Sequence, residues 1–331
     1  MNLLKVANIK IALILVLLLS LLNTIRIIPT LTKDSNSDDN TSVLWKHTAT
    51  EKEKETPVVL KDDFIYGVRT SFVIPEYKLI FFTFPKVACS EWKRMFMRIY
   101  GNPNWCKASF SQVHHRGVNK IRILGDYDTD VATAMMTSPA WTKVAFFREP
   151  KERVLSSFLD KAVNTNFYMK YCCEKLPEDK RKNCEDHSKE FGSFLHHVTK
   201  YPKECTNRHW IPQVSMMDAK WWPYIDFIGY QNTIEQDSKR LMQMLTSTKD
   251  PVPNRTLYER YGSSGWGSEE GCENRTHAFM HVNTAEHKTG ADSQMKEWYT
   301  PETEKIVEQY WAVEWAQEKV KFDKVKLFPD S

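Results

Sequence analysis

The stretch that decides the fold is Tyr77 to Gly101, YKLIFFTFPKVACSEWKRMFMRIYG. Its first part, 77–84, is short and rich in aromatic and β-branched residues, and Pro85 ends it, which predicts a buried strand. Apolar residues then recur at the i, i+3, i+4, i+7 spacing of a helix that lies on a sheet. These residues are Trp92, Met95, Phe96 and Ile99. Gly101 is a typical helix stop, so the stretch predicts a strand, a tight loop and a helix.

The loop Pro85-Lys86-Val87-Ala88-Cys89-Ser90 combines one lysine with backbone amides and a hydroxyl group. At a helix N-terminus, unpaired amides and the positive end of the helix dipole favour an anion. A phosphate or sulfate there would meet Lys86 as a point charge and Ser90 as a hydrogen-bond donor. The loop lacks the glycines of a Walker A motif. An ordinary strand-turn-helix unit with a surface lysine fits the loop alone equally well.

A second stretch, Trp141 to Ala162, again predicts a strand followed by a helix. Val144 to Phe147 forms the strand, and Pro150 suits the first helical position. Arg148 at the strand end and Ser156 on the helix can converge on one phosphate. Pairing of the arginine with a neighbouring glutamate is the structural alternative.

Together the two stretches resemble the Golgi carbohydrate sulfotransferases, in the branch of the chondroitin, dermatan and HNK-1 enzymes. Residues 85–94 match the pattern P-K-V-A-C-[ST]-x-W-K-R, and residues 148–156 match R-[DE]-P-x-E-R-x-x-S. The resemblance implies that the first holds the 5′-phosphosulfate of PAPS (3′-phosphoadenosine 5′-phosphosulfate) and the second its 3′-phosphate. His209-Trp210-Ile211-Pro212-Gln213, with Asp226 to Gly229 after it, is similar to a third segment of the family.

Further consequences follow from the resemblance. It implies an α/β, P-loop-like sulfotransferase fold, with a central parallel sheet flanked by helices in a single catalytic domain at 61–331. It implies PAPS as co-substrate, a carbohydrate acceptor and no metal. Lys288, in a loop before the segment Tyr299 to Glu302, is expected to complete the nucleotide site. The family often has a Cys-x-x-Cys pair after H-W-x-P-Q, whereas this chain has none at 215–220, which leaves the class of acceptor open.

Three histidines are candidates for the general base that transfer to a hydroxyl requires. His115 and His114 lie between the two phosphate motifs, where the related 2-O-sulfotransferases carry their catalytic histidine. His209 is the competitor. The structural alternative is that these are loop histidines, or that His209 caps a core beside Trp210.

The first sixty residues predict a membrane anchor and a stem. We expect a cytosolic tail at 1–10, a signal-anchor transmembrane helix at 11–28 and a luminal stem at 29–60, in the Golgi membrane with type II orientation. A cleaved signal peptide is the rival interpretation. The stem is polar and charged and cannot bury a core.

The overall charge excludes a general attraction to nucleic acid. Of the formal net charge of +4, residues 1–28 contribute +3 and the rest contributes +1. Local basic clusters remain available to an acidic glycan, or are solvated faces. They are Lys86, Lys93, Arg94 and Arg98, and then Arg116, Lys120 and Arg122.

Seven cysteines fit a secretory protein. Cys89 is expected to be a buried free thiol, which leaves six cysteines with 15 possible pairings. Four of these six fall between Cys172 and Cys205, in a charged segment expected to be poor in helix and to benefit from disulfides.

Two other functions compete. A type II glycosyltransferase would use a D-x-D metal site, and Asp126-Tyr127-Asp128 and Asp128-Thr129-Asp130 both have that pattern, although closely spaced aspartates are also typical of turns. A secreted glycan-binding module would use aromatic surfaces. Trp221 and Trp222 could serve there, or lie in the core.

Overall fold

The computed structural model describes residues 68–261, 272, 289–322 and 326–329. These residues fall in one compact unit, Thr56–Ser331. The predicted tail, anchor and stem lie outside the described residues. Within the described part, no helix combines the length and the apolar character needed to cross a bilayer.

The centre of the fold is a four-stranded sheet in the order β1-β2-β3-β4. Its strands are β1 (Phe72–Ile74), β2 (Leu79–Phe82), β3 (Thr142–Phe147) and β4 (Phe227–Tyr230). The pairs β2–β3 and β3–β4 are parallel, as expected, but β1 runs antiparallel to β2. The turn Pro75–Tyr77 is too short for a crossover connection, so β1 and β2 can pair only as antiparallel neighbours. The expected α/β fold is therefore present, with a mixed rather than fully parallel sheet.

Thirteen α-helices surround the sheet in the described part of the chain. They are α1 (Cys89–Ile99), α2 (Phe110–His114), α3 (Arg116–Asn119), α4 (Thr129–Thr137), α5 (Pro150–Phe158), α6 (Phe167–Tyr171), α7 (Glu178–Asp186), α8 (Phe191–Lys200), α9 (Ile234–Met244), α10 (Leu257–Tyr261), α11 (Ala291–Trp298), α12 (Pro301–Tyr310) and α13 (Ala312–Ala316).

The strand-loop-helix unit forms where the sequence predicts it. Trp92 and Phe96 of α1 are buried against the sheet, where Phe81 and Phe146 meet their rings. Gly101 follows the helix with a φ of +70°, a left-handed conformation in which glycine costs least. The periodicity of its apolar residues identifies the helix, and the strand is a short apolar run that is buried on both faces.

A π-helical turn, Leu159–Val163, extends α5. The Asn164 amide reaches the Leu159 carbonyl at 3.0 Å, five residues back. Such turns are frequent at functional sites because they redirect side chains from a helix. Asp160 and Lys161 lie in this turn.

Two hydrophobic clusters stabilise the described chain. The first cluster packs α1, Trp221 and Trp222 against the sheet. The side chains of Trp221 and Trp222 are 2% and 7% exposed. These two tryptophans are therefore core residues. The second cluster packs α5 and α8 around Trp210 and Trp311, which are 1% and 0% exposed.

Three disulfides join the six cysteines other than Cys89. They are Cys106–Cys272, Cys172–Cys205 and Cys173–Cys184. The expectation that the segment from Cys172 to Cys205 is poor in helix was wrong, because α7 and α8 lie within it. Cys89 is a free thiol, as expected, but it is half-buried rather than buried, since it opens α1 at the edge of the loop.

Candidate active site

The loop that follows β2 lies at the carboxyl ends of the parallel strands, where open α/β sheets bind ligands. Lys86 and Ala88 both adopt left-handed backbone conformations, with φ of +70° and +49°. This double reversal turns the chain directly from β2 into α1, which begins at Cys89. The Ala88 carbonyl accepts the Glu91 and Trp92 amides at 3.1 and 3.2 Å. The amides of the first helical turn thus border the loop, as the sequence predicts.

Lys86 points inward and forms an ion pair with Asp160. Its Nζ lies 2.9 Å from Asp160 Oδ2, and the two side chains are 9% and 14% exposed. Burial lowers the pKa of Lys86, and the charge of Asp160 opposes that shift. Burial raises the pKa of Asp160, but Lys86 and Lys161 outweigh it, so that the pKa of this carboxyl is lowered. Lys86 is therefore not the surface lysine of the alternative interpretation.

Arg148, at the end of β3, meets the same loop. Its Nη1 donates to the Lys86 carbonyl at 3.4 Å, and its Nε lies 3.3 Å from Glu152 Oε2. The backbone of Arg148 is fixed by the Gln213 side chain, which accepts from the Arg148 amide at 3.0 Å and donates to its carbonyl at 2.8 Å. The pairing of Arg148 with a neighbouring glutamate is thus present, and Arg148 also contacts the backbone of Lys86.

Ser156 lies two turns into α5 and faces the segment that precedes α11. Its Oγ is 2.9 Å from Thr289 Oγ1, and its side chain is buried. Lys288, expected to complete the nucleotide site, lies outside the described residues. The contact between Ser156 and Thr289, the neighbour of Lys288, therefore connects the second motif to the late loop.

Arg153, inside the second motif, is fully buried and contacts no described carboxylate directly. Its guanidinium donates to the carbonyls of Pro85, Ile211 and Arg208 at 3.1, 2.8 and 2.7 Å. Burial lowers its pKa to about 10, and the charge of Glu314 opposes that shift. Arg153 thus joins the first loop to the segment around His209, and three of its five N–H donors are bound to backbone carbonyls.

His114 lies between Ser90 and Lys93, both on α1. Its Nε2 is 2.9 Å from Ser90 Oγ, and its Nδ1 is 2.6 Å from Lys93 Nζ. Burial lowers the pKa of Lys93, which makes its neutral form more accessible. In that form the amine accepts the Nδ1 hydrogen of His114 and the Nε2 lone pair faces Ser90, whereas the ammonium form donates to Nδ1 and places the hydrogen on Nε2.

The other two histidines have different settings. His115 is exposed, and within the described residues its ring makes no hydrogen bond. His209 Nδ1 lies 2.7 Å from Asn207 Oδ1, so the hydrogen sits on Nδ1. Burial, with the charges of Lys161, Arg208, Lys86 and Arg153 added, lowers the pKa of His209 to about 2. Burial is the largest cause of this shift, and the four cations that add to it lie around His209.

The basic clusters of the sequence are largely engaged internally. Arg94 donates to the Trp105 carbonyl at 3.1 Å, and the Arg98 guanidinium lies 4.7 Å from the Trp105 ring centroid. Arg116 Nη2 donates to both carboxylate oxygens of Asp126, at 2.6 and 2.8 Å. These pairings reduce what the clusters can offer to an acidic ligand.

The ion pair between Arg116 and Asp126 also bears on the interpretation of the D-x-D pattern. Asp126 also accepts the Ile123 amide at 2.9 Å, which makes it a turn residue, and Asp128 occupies the N-cap position of α4 without a side-chain capping hydrogen bond. In the described part of the chain, no group of three or more His, Cys, Asp or Glu side chains is arranged to hold a metal ion.

From the sequence alone, no specific role in the site was assigned to three of its residues: Asp160, Lys93 and Arg153. Lys93 carried a usable signal, since it follows Ser90 by three positions and so shares its helix face. Asp160 carried none, because it lies 74 residues from Lys86 and only the π-helical turn brings them together.

Comparison with known proteins agrees with this geometry. The family described as "Sulfotransferase family" matches residues 69–305. Carbohydrate sulfotransferase 9 of Homo sapiens is 26% identical over 227 residues, which cover 62% of this chain and 50% of that protein. Carbohydrate sulfotransferase 11 of Mus musculus is 26% identical over 227 residues, which cover 65% of this chain and 61% of that protein. Carbohydrate sulfotransferase 14 of Mus musculus is 23% identical over 180 residues, which cover 53% and 46%.

The chain therefore spans about half to three fifths of the length of the curated relatives it matches. No solved structure matches the chain significantly.

Proposed function

Because the chain belongs to the sulfotransferase family, we propose that it transfers a sulfuryl group from PAPS to a hydroxyl of a carbohydrate acceptor. The observation that carries the proposal is the meeting of two cationic residues from adjacent parallel strands. Arg148 donates to the carbonyl of Lys86 at 3.4 Å, and both side chains are largely buried. Buried cations at the carboxyl ends of parallel strands are suited to a phosphorylated ligand.

The residues present fit such a donor. Lys86, Ser90 and the backbone amides of residues 86–90, in the loop that Pro85 begins, would hold the phosphosulfate, and Arg148 and Ser156 would hold the 3′-phosphate. Lys86 would leave Asp160 to meet the new anion, because a phosphosulfate carries more charge than one carboxylate. Lys288 is proposed as a further nucleotide contact. No metal is needed, since lysine and arginine can stabilise charge on the departing phosphate.

We assign the general base to His114. The acceptor hydroxyl oxygen would attack sulfur, the bond from sulfur to the phosphate oxygen would break, and 3′,5′-ADP would leave. The hydroxyl proton would go to Nε2 of His114, with Nδ1 held by Lys93. His115 lacks such an orienting partner in the described residues, and His209 is too weak a base at a pKa of about 2.

The cellular setting is part of the proposal. Three disulfides support an oxidising compartment. We propose a P-loop-like catalytic domain at 61–331 in the Golgi lumen, held by an anchor at 11–28 and a stem at 29–60.

Titration calorimetry of the purified full-length protein with 3′,5′-ADP tests the donor site. We expect binding that EDTA does not change, and affinity about 10-fold weaker or worse in Lys86→Ala and Arg148→Ala, because each loses a charge-assisted contact. Lys107→Ala, an exposed lysine outside the site, is the matched control. A cooperatively folded wild-type protein that does not bind 3′,5′-ADP would contradict the proposal. Transfer of labelled sulfuryl groups from PAPS to a panel of glycans then tests turnover.

A further inference from the structure

A pair of stacked aromatic rings lies beside the candidate active site. Phe167 and Tyr171, one turn apart on α6, have ring centroids 4.2 Å apart. Phe167 is half-buried, and Tyr171 is 36% exposed. The two rings are therefore only partly covered by the rest of the protein.

Three lysines lie over these rings. Lys161 Nζ is 5.1 Å from the Phe167 centroid, and Lys170 and Lys175 are 5.9 and 5.5 Å from the Tyr171 centroid. An ammonium group within about 6 Å of a ring face is attracted by the ring quadrupole. The Phe167 ring therefore positions one lysine side chain, and the Tyr171 ring positions two. We call these five residues the lysine strip.

The positive charge of the lysine strip is poorly compensated. Lys161 shares Asp160 with Lys86, at 3.2 and 2.9 Å. Within the described residues, Lys170 and Lys175 form no ion pair, and the exposed Glu174 beside them forms none either. The strip thus has spare ammonium groups for an anion from outside.

The lysine strip is continuous with the candidate active site. The Phe167 ring packs edge-on against His209 at 5.1 Å between centroids, and Asp160 connects Lys161 to Lys86. At its far end, Tyr171 is followed by Cys172 and Cys173, whose disulfides fix the chain. The positive charge of Lys86 is therefore continued by Lys161 at Phe167 and by two further lysines at Tyr171, on a segment that disulfides hold in place.

We propose that the lysine strip binds the acceptor, and that the acceptor is an anionic glycan whose carboxylate or sulfate groups meet Lys161, Lys170 and Lys175. This proposal rests on the proposed function, because it assigns the acceptor side of the same site. Lysines already held over rings lose little side-chain freedom on binding. Several exposed contacts, each weak, add up along one polymer, and salt weakens them together.

The test compares two charge-matched double variants of the full-length protein. Lys170→Gln with Lys175→Gln removes two lysines of the strip, and Lys180→Gln with Lys182→Gln removes two exposed lysines of α7. The probes are chondroitin, its carboxyl-reduced neutral form and heparin, each immobilised at 50 mM salt. We expect wild-type protein to bind at least one anionic polymer and to ignore the neutral form. The strip variant should bind about 10-fold more weakly, since two charge contacts are lost, and the control variant should bind like wild type.

A third variant separates the rings from the lysines. Tyr171→Leu keeps every charge but removes the ring under Lys170 and Lys175, and we expect a smaller loss, about threefold. Equal affinity of the strip and control variants, equal binding to the neutral polymer, or no binding to either anionic polymer would overturn the proposal.

Binding of 3′,5′-ADP in the same variants distinguishes the two proposals. If the nucleotide still binds and the strip has no effect, the acceptor assignment alone fails. If wild-type protein binds no nucleotide, the proposed function fails whatever the polymers do.

Discussion

The guanidinium of Arg153 donates a hydrogen bond to the carbonyl of Pro85 at 3.1 Å, which fixes α5 to the loop that follows β2. The two phosphate motifs are thereby held together by a side chain of one and a backbone group of the other. Their relative position does not depend on a ligand. A site arranged in this way can bind an anion without first having to assemble.

Replacing Arg153 should destabilise the protein strongly. Arg153→Met leaves three buried carbonyls without their donor and also removes the charge near Glu314, for a loss of about 3–5 kcal/mol in the free energy of unfolding. Urea unfolding measures this loss. The control is Lys180→Ala, which removes a lysine from an exposed ion pair with Asp179. Arg153→Lys should recover only part of the loss, because one ammonium group cannot reach three carbonyls. Wild-type stability in Arg153→Met would mean that the three contacts contribute little.

At Ala88, where the loop backbone is left-handed, we expect a substitution that does not lower stability. With a φ of +49°, its side chain is strained by about 1 kcal/mol, which glycine would relieve. Ala88→Gly should therefore leave stability unchanged or raise it by up to about 1 kcal/mol. Ala134→Gly, at an exposed helical position of α4, should instead lower it by about 1 kcal/mol. Chemical denaturation of both variants checks the difference in sign.

His209 should make stability depend on pH. Its pKa is about 2 in the folded protein, because burial and nearby cations disfavour the charged form, and about 6.5 in the unfolded chain. The unfolded state thus binds more protons between these values, and stability falls as the pH drops below about 6.5.

The measurement is the unfolding free energy of wild type and His209→Gln at pH 7 and pH 5. Wild type should lose roughly 2 kcal/mol more than the variant over this interval. Subtracting the variant removes other titrating groups, such as Glu314, whose pKa is raised to about 7 by burial and whose slope has the opposite sign. A pH-independent difference would show that His209 is solvated.

Lys93 should act on catalysis through His114. Lys93→Met removes the partner of Nδ1, so the tautomer with a free Nε2 is no longer favoured, and kcat should fall about 10-fold to 100-fold. The KM for PAPS should change little, because Lys93 is not placed against the nucleotide. Lys93→Gln, whose amide oxygen can accept the same hydrogen, should retain more activity.

A merely structural role for Lys93 predicts a different pattern. Both substitutions would then lower the melting temperature and reduce kcat equally. Lys107→Met provides the control for loss of a lysine outside the site.

Local signals explain what the sequence could predict. The helix α1 follows from periodicity and the strand β2 from a short aromatic and β-branched run in the same stretch, and Pro150 marks a helix start that the structure contains. The three-residue strand β1 has no such signal, because its identity depends on pairing with β2. Its antiparallel direction was for that reason not foreseen.

Some residues of the candidate site could likewise be predicted from the sequence, and others could not. Lys86 and Arg148 follow strands that the pattern identifies, so their convergence could be expected. The partner of Lys86 could not, since Asp160 reaches it only through a π-helical turn in a helix that periodicity treats as regular. The choice among the histidines also needed coordinates, because His114 and His115 are neighbours in sequence and only one faces Ser90.

The disulfide Cys106–Cys272 joins positions 166 residues apart, and this changes how a broken chain would behave. A protease that cuts once anywhere between them leaves two fragments that remain covalently joined. Such a nicked protein would migrate as one species on a non-reducing gel and separate only after reduction. The integrity of any purified preparation must therefore be judged under reducing conditions.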